Sequence, residues 1–288
     1  MPAIYLNGHF VAPEQATISV MDRGFLFGDG VYEVIPAYHG HTLRADEHLD
    51  RLDHSLAGIR MANPLSRNDW STIFQRLLAN QPAPQQAIYL QITRGAPPVR
   101  DHRFGADTAA PTVLAMAKTV PPRNPALAEH GITAILRDDP RWHRCDIKVI
   151  SLVAAVLLQQ EAADADAAEA ILVRDGLAVE ASTSNLFIVR EGTILTPPKD
   201  WRLLPGITRD LVVELAREAG LAVEEADVPV ATLYQADEVW ITSSTREVMP
   251  VTRIDDTTIG DGHPGPMWRR INDLYQSYKA KLGTAETK

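Results

Sequence analysis

The stretch RWHRCDIKVI, residues 141–150, places a lysine at the start of a long apolar run. Lys148 stands between Ile147 and Val149, and no charged side chain follows until after Leu158, so the run predicts a helix packed in a core. Desolvation lowers the pKa of a lysine, which is the property that a nucleophilic amine needs. The alternative is a structural lysine whose stem packs while its head reaches water. This segment by itself favours the structural alternative.

The composition is that of a globular protein with a large core. Of the 288 residues, 45% are hydrophobic and 23% are charged. A length above ~250 residues favours two domains over one. The net charge of -9 argues against a general nucleic-acid binder, which would carry a basic stripe. A single cysteine excludes an internal disulfide and a cysteine-cluster metal site, so we expect no metal and a reducing compartment.

The N-terminal stretch and the hydropathy bear on location. MPAIYLNGHF lacks the basic and apolar regions of a signal peptide. The longest apolar run, residues 149–158, is about half the length of a membrane span. We therefore expect a cytoplasmic protein that binds neither a membrane nor nucleic acid.

Periodicity predicts an α+β chain in two parts. In the first part a hairpin turns at Asn7-Gly8, a strand spans residues 30–38, and helices are expected over 45–60 and 66–80. The proline-rich stretch TVPPRNPAL, residues 119–127, is the predicted boundary because prolines stiffen a connector. The expected divisions are a small N-terminal domain over 1–119, a linker over 120–127 and a larger C-terminal domain over 128–288.

A glutamate and a run of hydroxyl groups follow a strand in the second part. Glu180 ends an apolar strand in VEASTSNLFIV, residues 179–189. Ser182 and Thr183 come next, in a turn of hydroxyl, amide and backbone donors that can cradle an anion. An ordinary polar turn is the alternative, and without further context it is favoured.

Two further polar motifs could also bind an anion, but each has an ordinary structural alternative when it is taken singly. In LLPGITRDLVVELA, residues 203–216, Thr208 lies in the first turn of a helix, where free N–H groups form a ready phosphate site. Every helix has such an end. In ITSSTREVMPV, residues 241–251, Ser243 and Ser244 directly follow a strand and offer a second anion cradle with the same alternative.

The order of these motifs resembles the class IV aminotransferases, which are pyridoxal-phosphate enzymes of fold type IV. A lysine, a strand-end glutamate, a Gly-Ile-Thr helix start and a strand-end serine pair follow one another as in that family. DRGFLFGDGVYEVI, residues 22–35, and HLDRL, residues 48–52, match it as well. The resemblance covers nearly the whole chain. It implies a two-domain α+β fold with a small N-terminal α/β domain and a larger C-terminal domain that has a β-barrel-like core.

The resemblance also implies a role for each matching residue. Lys148 would form a Schiff base with pyridoxal 5'-phosphate and then move the proton between substrate and cofactor. Glu180 would pair with the pyridine nitrogen and keep it protonated, so that the ring accepts electrons. The other implied cofactor contacts are Leu204 against the ring, Arg51, Ile207, Thr208 and Ser244 at the phosphate, and Ser182, Thr183 and Ser243. Without the resemblance, helical spacing puts Arg51 at the edge of a polar face, as a solvated surface arginine.

The loop TRGAPPVRDHRF, residues 93–104, bears on the substrate. Arg100 and His102 could converge on one carboxylate, although a solvent-exposed basic loop is the better interpretation of a generic loop. In D-amino-acid aminotransferases this loop carries Arg-x-His, which binds the α-carboxylate together with the tyrosine that matches Tyr32. Its arginine and histidine reach the site from the partner subunit. Here the segment from Gly95 to Arg100 is about one residue longer than the family pattern.

The sequence therefore predicts a homodimeric pyridoxal-phosphate enzyme with active sites shared between subunits. It would transfer an amino group from a D-amino acid, such as D-alanine or D-glutamate, to a 2-oxo acid such as 2-oxoglutarate, in a ping-pong reaction. The alternatives are a branched-chain L-amino-acid or (R)-amine transaminase, and then aminodeoxychorismate lyase. A non-enzymatic cofactor-binding module is disfavoured because it would need neither Lys148 nor Glu180.

Overall fold

The chain forms two compact units. The structure is a computed structural model that describes residues 3–105 and 109–282. The first unit contains the described residues up to Pro121, together with Ile147–Leu152 and Leu282. The second contains Pro122–Asp146 and Val153–Lys281.

The predicted domain limits stay predictions. The outermost of them, residues 1 and 288, lie outside the part of the chain that the structure describes. The expected linker over 120–127 contains the first residues of a helix, Pro125–His130.

The first unit is an antiparallel sheet with helices packed on it. Its described strands follow the order β2-β1-β6-β5-β3-β4. Its elements are β1 (Ile4–Leu6), β2 (His9–Val11), α1 (Arg23–Phe27), β3 (Gly30–Tyr38), β4 (His41–Thr42), α2 (Ala45–Gly58), α3 (Arg67–Asn80), β5 (Gln85–Thr93) and β6 (Thr112–Thr119).

The core of this unit forms between α2 and β3. Leu49, Leu52 and Leu56 recur at helical spacing and are buried in one cluster with Val31 and Ile35. Full burial of each such side chain stabilises the fold by roughly 1.5–3 kcal/mol. This packing fixes the strand and the helix that carry several of the candidate site residues.

The second unit is built on a larger sheet. Its described strands follow the order β12-β11-β10-β14-β15-β7-β8-β9-β13, with β16 paired to β15. Its elements are α4 (Pro125–His130), β7 (Ile132–Asp138), α5 (Val153–Asp164), β8 (Glu169–Arg174), β9 (Leu177–Ala181), β10 (Asn185–Arg190), β11 (Thr193–Thr196), α6 (Ile207–Glu218), β12 (Val223–Glu225), β13 (Val228–Pro229), α7 (Val230–Tyr234), β14 (Glu238–Ser243), β15 (Glu247–Ile254), β16 (Thr257–Thr258) and α8 (Pro266–Ala280).

This sheet curls back on itself. In its hydrogen-bonded order, β14, β15, β7 and β8 lie between β9 and β10, yet only residues 182–184 connect β9 to β10 along the chain. The turn closes with a hydrogen bond of 2.6 Å from Ala181 N to Ser184 O. A flat sheet could not satisfy this short connection. The α+β class and the barrel-like sheet of the second unit are therefore confirmed.

Across the described residues, every helix is too short or too polar to cross a membrane.

Candidate active site

Backbone hydrogen bonds hold Lys148 beside β3. Tyr32 N donates to Lys148 O (3.0 Å), and Ile150 N donates to Gly30 O (3.1 Å). Lys148 N in turn donates to Ser55 Oγ of α2 (3.1 Å). With its backbone fixed on both sides, the half-buried lysine places Nζ 4.2 Å from the centre of the Tyr32 ring. The first unit therefore brings together the predicted nucleophile and one predicted substrate-binding residue.

The apolar run after Lys148 is not the core-packed helix that the sequence predicts. Helix α5 begins only at Val153, and its buried residues are Leu158 and Ala162. Its large apolar side chains Val153, Val156 and Leu157 are exposed instead. The prediction is wrong because a run that is apolar on every face carries no periodicity to show which face packs.

Arg51 is buried, so the surface position expected from helical spacing alone is wrong. Its Nε donates to Glu33 Oε1 (2.7 Å) and a terminal nitrogen donates to Glu33 Oε2 (2.8 Å). His48 Nδ1 lies 2.8 Å from Glu33 Oε2. Two hydrogen-bond donors of α2, a guanidinium and an imidazole, thus converge on one fully buried carboxylate of β3. The predicted contact between Arg51 and the phosphate stays a prediction.

The Glu33 cluster has a definite charge state. Burial opposes ionisation of Glu33, but Arg51 and His48 hold its pKa well below its usual value. Burial lowers the pKa of His48, so His48 is neutral near pH 7 and donates from Nδ1. Sequence reasoning missed Glu33, although there was a signal. Glu33 lies on the same buried face of β3 as Val31 and Ile35. A carboxylate on a buried face requires a partner.

Glu180 is the corresponding buried carboxylate of the second unit. Arg141 donates to its Oε1 (2.5 Å). Its Oε2 accepts from Asn185 Nδ2 (3.1 Å) and from Leu204 N (3.2 Å). Burial raises the pKa of Glu180, although Arg141 and Leu204 N act to lower it. The sequence left the role of Arg141 open and did not predict the partners of Asn185, Glu180 and Leu204, which lie 5 and 19 residues away.

The first turn of α6 offers donors for an anion. Helix α6 begins at Ile207 and Thr208, both buried, and no described side chain caps it. The first N–H groups of a helix have no acceptor within it, and Thr208 adds a hydroxyl. Gly206 is required before them, because a Cβ there would lie 1.8 Å from Asn185 Oδ1. Asn185 also donates to Leu204 O (2.8 Å), so it links this loop to Glu180.

The hydroxyls that follow β9 are directed to Glu169. Thr183 Oγ1 donates to this fully buried carboxylate (2.8 Å), as do Ser182 Oγ and Ser184 Oγ. The anion that the turn cradles here is therefore a side chain of the same unit. Cofactor contacts of Ser182 and Thr183 stay predictions.

The serine pair at the end of β14 is less buried, and Ser243 is the last residue of that strand. Ser243 Oγ accepts from Arg246 N (3.3 Å), and Ser244 is half-buried at the start of the turn. Their predicted cofactor contacts are likewise untested.

Arg100 and His102 are exposed on the loop between β5 and β6. The Cζ of Arg100 lies 4.6 Å from the centre of the Phe27 ring, and the His102 ring centre lies 5.1 Å from it. The two side chains predicted to bind a carboxylate therefore share one aromatic contact.

Each unit, taken by itself, contains side chains whose chemistry fits one part of pyridoxal phosphate. The first unit supplies an amine at Lys148. The second supplies a buried, hydrogen-bonded carboxylate at Glu180 and an uncapped helix start with a hydroxyl at Thr208. Within the described residues no group of three or more His, Cys, Asp or Glu side chains is arranged to hold a metal ion.

Comparison with known proteins gives matches over nearly the full length. The family profile of amino-transferase class IV matches residues 30–254. A D-alanine aminotransferase of Bacillus licheniformis is 40% identical over 275 residues, 95% of this chain and 96% of that protein. One from Listeria monocytogenes is 38% identical over 272 residues, 94% of each chain. The crystal structure of a branched-chain amino acid aminotransferase from T.th. with pyridoxamine 5'-phosphate has a TM-score of 0.88 and 29% identity, over 96% of this chain and 93% of that one.

Proposed function

The chain belongs to the class IV aminotransferases, and from that membership we propose that it transfers the amino group of a D-amino acid to a 2-oxo acid. One observation carries the choice of a D-amino acid. The chain is 40% identical to a D-alanine aminotransferase over nearly its full length, against 29% for the branched-chain structure. A shared backbone does not select a substrate, because specificity lies in the side chains of the site.

Enzymes of this family use pyridoxal phosphate, and the residues of both units fit it. When bound, the cofactor supplies an electron sink for the pair of electrons left at the substrate Cα. Lys148 would be the amine that holds the cofactor, and its Nζ would carry the proton. Hydrogen bonds fix the backbone of this lysine, and its Nζ lies 4.2 Å from the centre of the Tyr32 ring.

The second unit supplies the proposed contacts to the pyridine nitrogen and to the phosphate. Glu180 would accept a hydrogen bond from the protonated pyridine nitrogen, and its hydrogen bonds from Arg141 and Asn185 keep the carboxylate oriented. The N–H groups of Ile207 and Thr208 would bind the phosphate. We assign the remaining cofactor contacts to Arg51, Leu204, Ser182, Thr183, Ser243 and Ser244.

We assign recognition of the substrate carboxylate to Tyr32, Arg100 and His102. A guanidinium and an imidazole can both donate to one carboxylate. The same contacts serve the donor and then the acceptor, as a ping-pong reaction requires. The runner-up is a branched-chain L-amino-acid transaminase, because an enzyme of that kind shares the fold with a TM-score of 0.88, although the fold alone does not choose between the two substrates.

The decisive experiment compares two substrate pairs. The holoenzyme is incubated with D-alanine and 2-oxoglutarate, or with L-leucine and 2-oxoglutarate, while conversion of the cofactor to its pyridoxamine form is followed by absorbance. We expect faster turnover of D-alanine, and loss of both turnover and the absorbance change in Lys148→Ala. Faster turnover of L-leucine would overturn the choice of substrate.

We also propose that the enzyme is a cytoplasmic homodimer whose subunits share their sites. The exposure of Arg100 and His102 supports shared sites, because side chains that complete a partner's site lie on the surface of the single chain. The single cysteine supports a reducing compartment. Cell fractionation tests the location, and sedimentation tests the dimer.

A further inference from the structure

Phe27 is a common contact of three cationic or titratable side chains in the first unit. The Cζ of Arg23 lies 4.8 Å from its ring centre and that of Arg100 lies 4.6 Å from it. The His102 ring is tilted by 38° to it at 5.1 Å. The face of an aromatic ring attracts cations, so the ring favours one location for side chains that otherwise project into water.

Arg23 holds the backbone of the same loop. Its side chain is buried, and its two terminal nitrogens donate to the carbonyl oxygens of Asp101 and His102, the latter over 3.1 Å. Its Nε donates to Asp29 Oδ2 over 2.7 Å. The guanidinium is thus oriented by a carboxylate on one side and binds the loop at His102 on the other.

Asp29 is itself fixed by a second arginine. Arg94 donates to Asp29 Oδ2 from Nε (2.8 Å) and to Oδ1 from a terminal nitrogen (3.0 Å). The Cζ of Arg94 lies 3.9 Å from the centre of the Phe104 ring, at the far end of the described loop. Arg23 and Arg94 therefore hold two points of the loop through one shared carboxylate.

The start of the loop is fixed by its backbone. Arg23 N donates to Gly95 O (2.9 Å). Gly95 has φ +84°, and a Cβ on it would lie 2.1 Å from Ala110 O, so only glycine fits. The loop therefore leaves β5 in one conformation.

We propose that Arg23 and Phe27 are positioning residues for substrate recognition, which hold His102 and Arg100 in their binding geometry before a carboxylate arrives. The proposal rests on the proposed function, in which these two side chains bind the substrate carboxylate. A long side chain on an exposed loop loses rotamer freedom when it binds, and ordering it in advance removes that loss from the binding step. The contribution is the same in the ground state and the transition state, so it belongs in KM.

The kinetic test uses Phe27→Leu and Arg23→Gln in the holoenzyme. We expect the KM for D-alanine to rise about tenfold with kcat within about twofold, the pattern of lost uniform binding. Phe27→Tyr keeps the aromatic ring and should have the KM of the wild type. Arg103→Gln is the matched control, because Arg103 is an exposed arginine of the same loop that pairs with the side chain of Asp101.

Hydrogen–deuterium exchange of residues 95–105 without substrate separates this proposal from the proposed function. We expect faster exchange in Phe27→Leu and Arg23→Gln and wild-type exchange in Arg103→Gln and Phe27→Tyr. An inactive wild type would contradict the function, while faster exchange in the variants would still support positioning. Wild-type KM in both variants, or equal exchange in all the proteins, overturns the proposal.

Discussion

Arg141 belongs to a largely buried row of alternating charges in the second unit. Asp139 accepts from Arg141 Nε (2.8 Å) and from Arg174 (2.9 Å), and Arg141 donates onward to Glu180 (2.5 Å). Burial lowers the pKa of Arg141, but Glu180 and Asp139 raise it above its usual value. Each buried charge thus has an opposite neighbour, without which burial would be costly. Arg141 therefore helps to keep Glu180 ionised in a site whose desolvation favours the protonated form.

Replacing Arg141 with methionine should raise the pKa of Glu180 further, because burial then acts without the opposing guanidinium. In the protein without cofactor, we expect the infrared carboxyl band of Glu180, identified by its loss in Glu180→Gln, to persist to higher pH. Arg144→Gln is the control, since Arg144 forms an exposed pair with Asp146. An unchanged carboxyl titration in Arg141→Met would show that Arg141 does not set this charge state.

For single residues, the sequence identifies candidate site residues better than it predicts the residues that they contact. Lys148 and Glu180 could be singled out because each is out of place in an apolar stretch. The burial of Arg51 could not be predicted, because its partner Glu33 lies on another element. Helical periodicity carries no information about such long-range pairs. The same holds for Arg141 and Glu180, which are 39 residues apart.

Among the elements, the locally determined ones were predicted well. Asn7 and Gly8 both have positive φ, as the two-residue hairpin turn requires. Helix α3 begins after Ser66, which forms a capping box with Asp69. The order of strands in the second sheet was beyond prediction, because its parallel pairs of β7 with β8 and with β15 join segments far apart in the chain.

Helix α5 is the element on which the proposed dimer can be tested. Val153, Val156 and Leu157 share one face and are 74%, 63% and 59% exposed. An apolar helix face of this kind is typical of a subunit interface. The wild type should sediment at twice its chain mass of 31.7 kDa, and Leu157→Asp should sediment as a single chain.

A control must separate loss of the interface from a general effect of charge. Gln75→Asp adds the same charge at an exposed position of α3 and should leave the mass unchanged. A monomeric wild type would contradict the dimer. An unaffected Leu157→Asp would place the interface elsewhere.

For the whole molecule, the buried titratable groups favour the folded state near neutral pH. Glu33, Asp139 and His48 all have a pKa below the usual value, so the unfolded chain binds protons more readily than the folded one. His48 should weaken stability as the pH falls below about 6.5, and the carboxylates should do so below about 4.5. Glu180 acts in the opposite sense, since its raised pKa contributes stability that is lost as the pH rises through it.

The midpoint of thermal unfolding should therefore fall steadily from pH 7 to pH 4, and the fall should steepen at the acid end. Glu33→Gln removes one of the carboxylates whose pKa is lowered. It should lower the midpoint at pH 7 and make the midpoint depend less on pH at the acid end. Circular dichroism during heating measures both. A midpoint that rises on acidification would mean that groups of the Glu180 kind dominate.

The docking of Ile147–Leu152 on the first unit has a consequence for recombination between related genes. A crossover at Pro121 would leave Tyr32 with one parent and Lys148 with the other, although the two residues share a backbone hydrogen bond. The hybrid would have to dock a foreign lysine segment on β3. Main-chain hydrogen bonds such as the 3.0 Å bond from Tyr32 N to Lys148 O do not depend on which side chains are present. They can therefore form in the hybrid as well. The bond from Lys148 N to Ser55 Oγ depends on a particular side chain and would have to be inherited with the first parent.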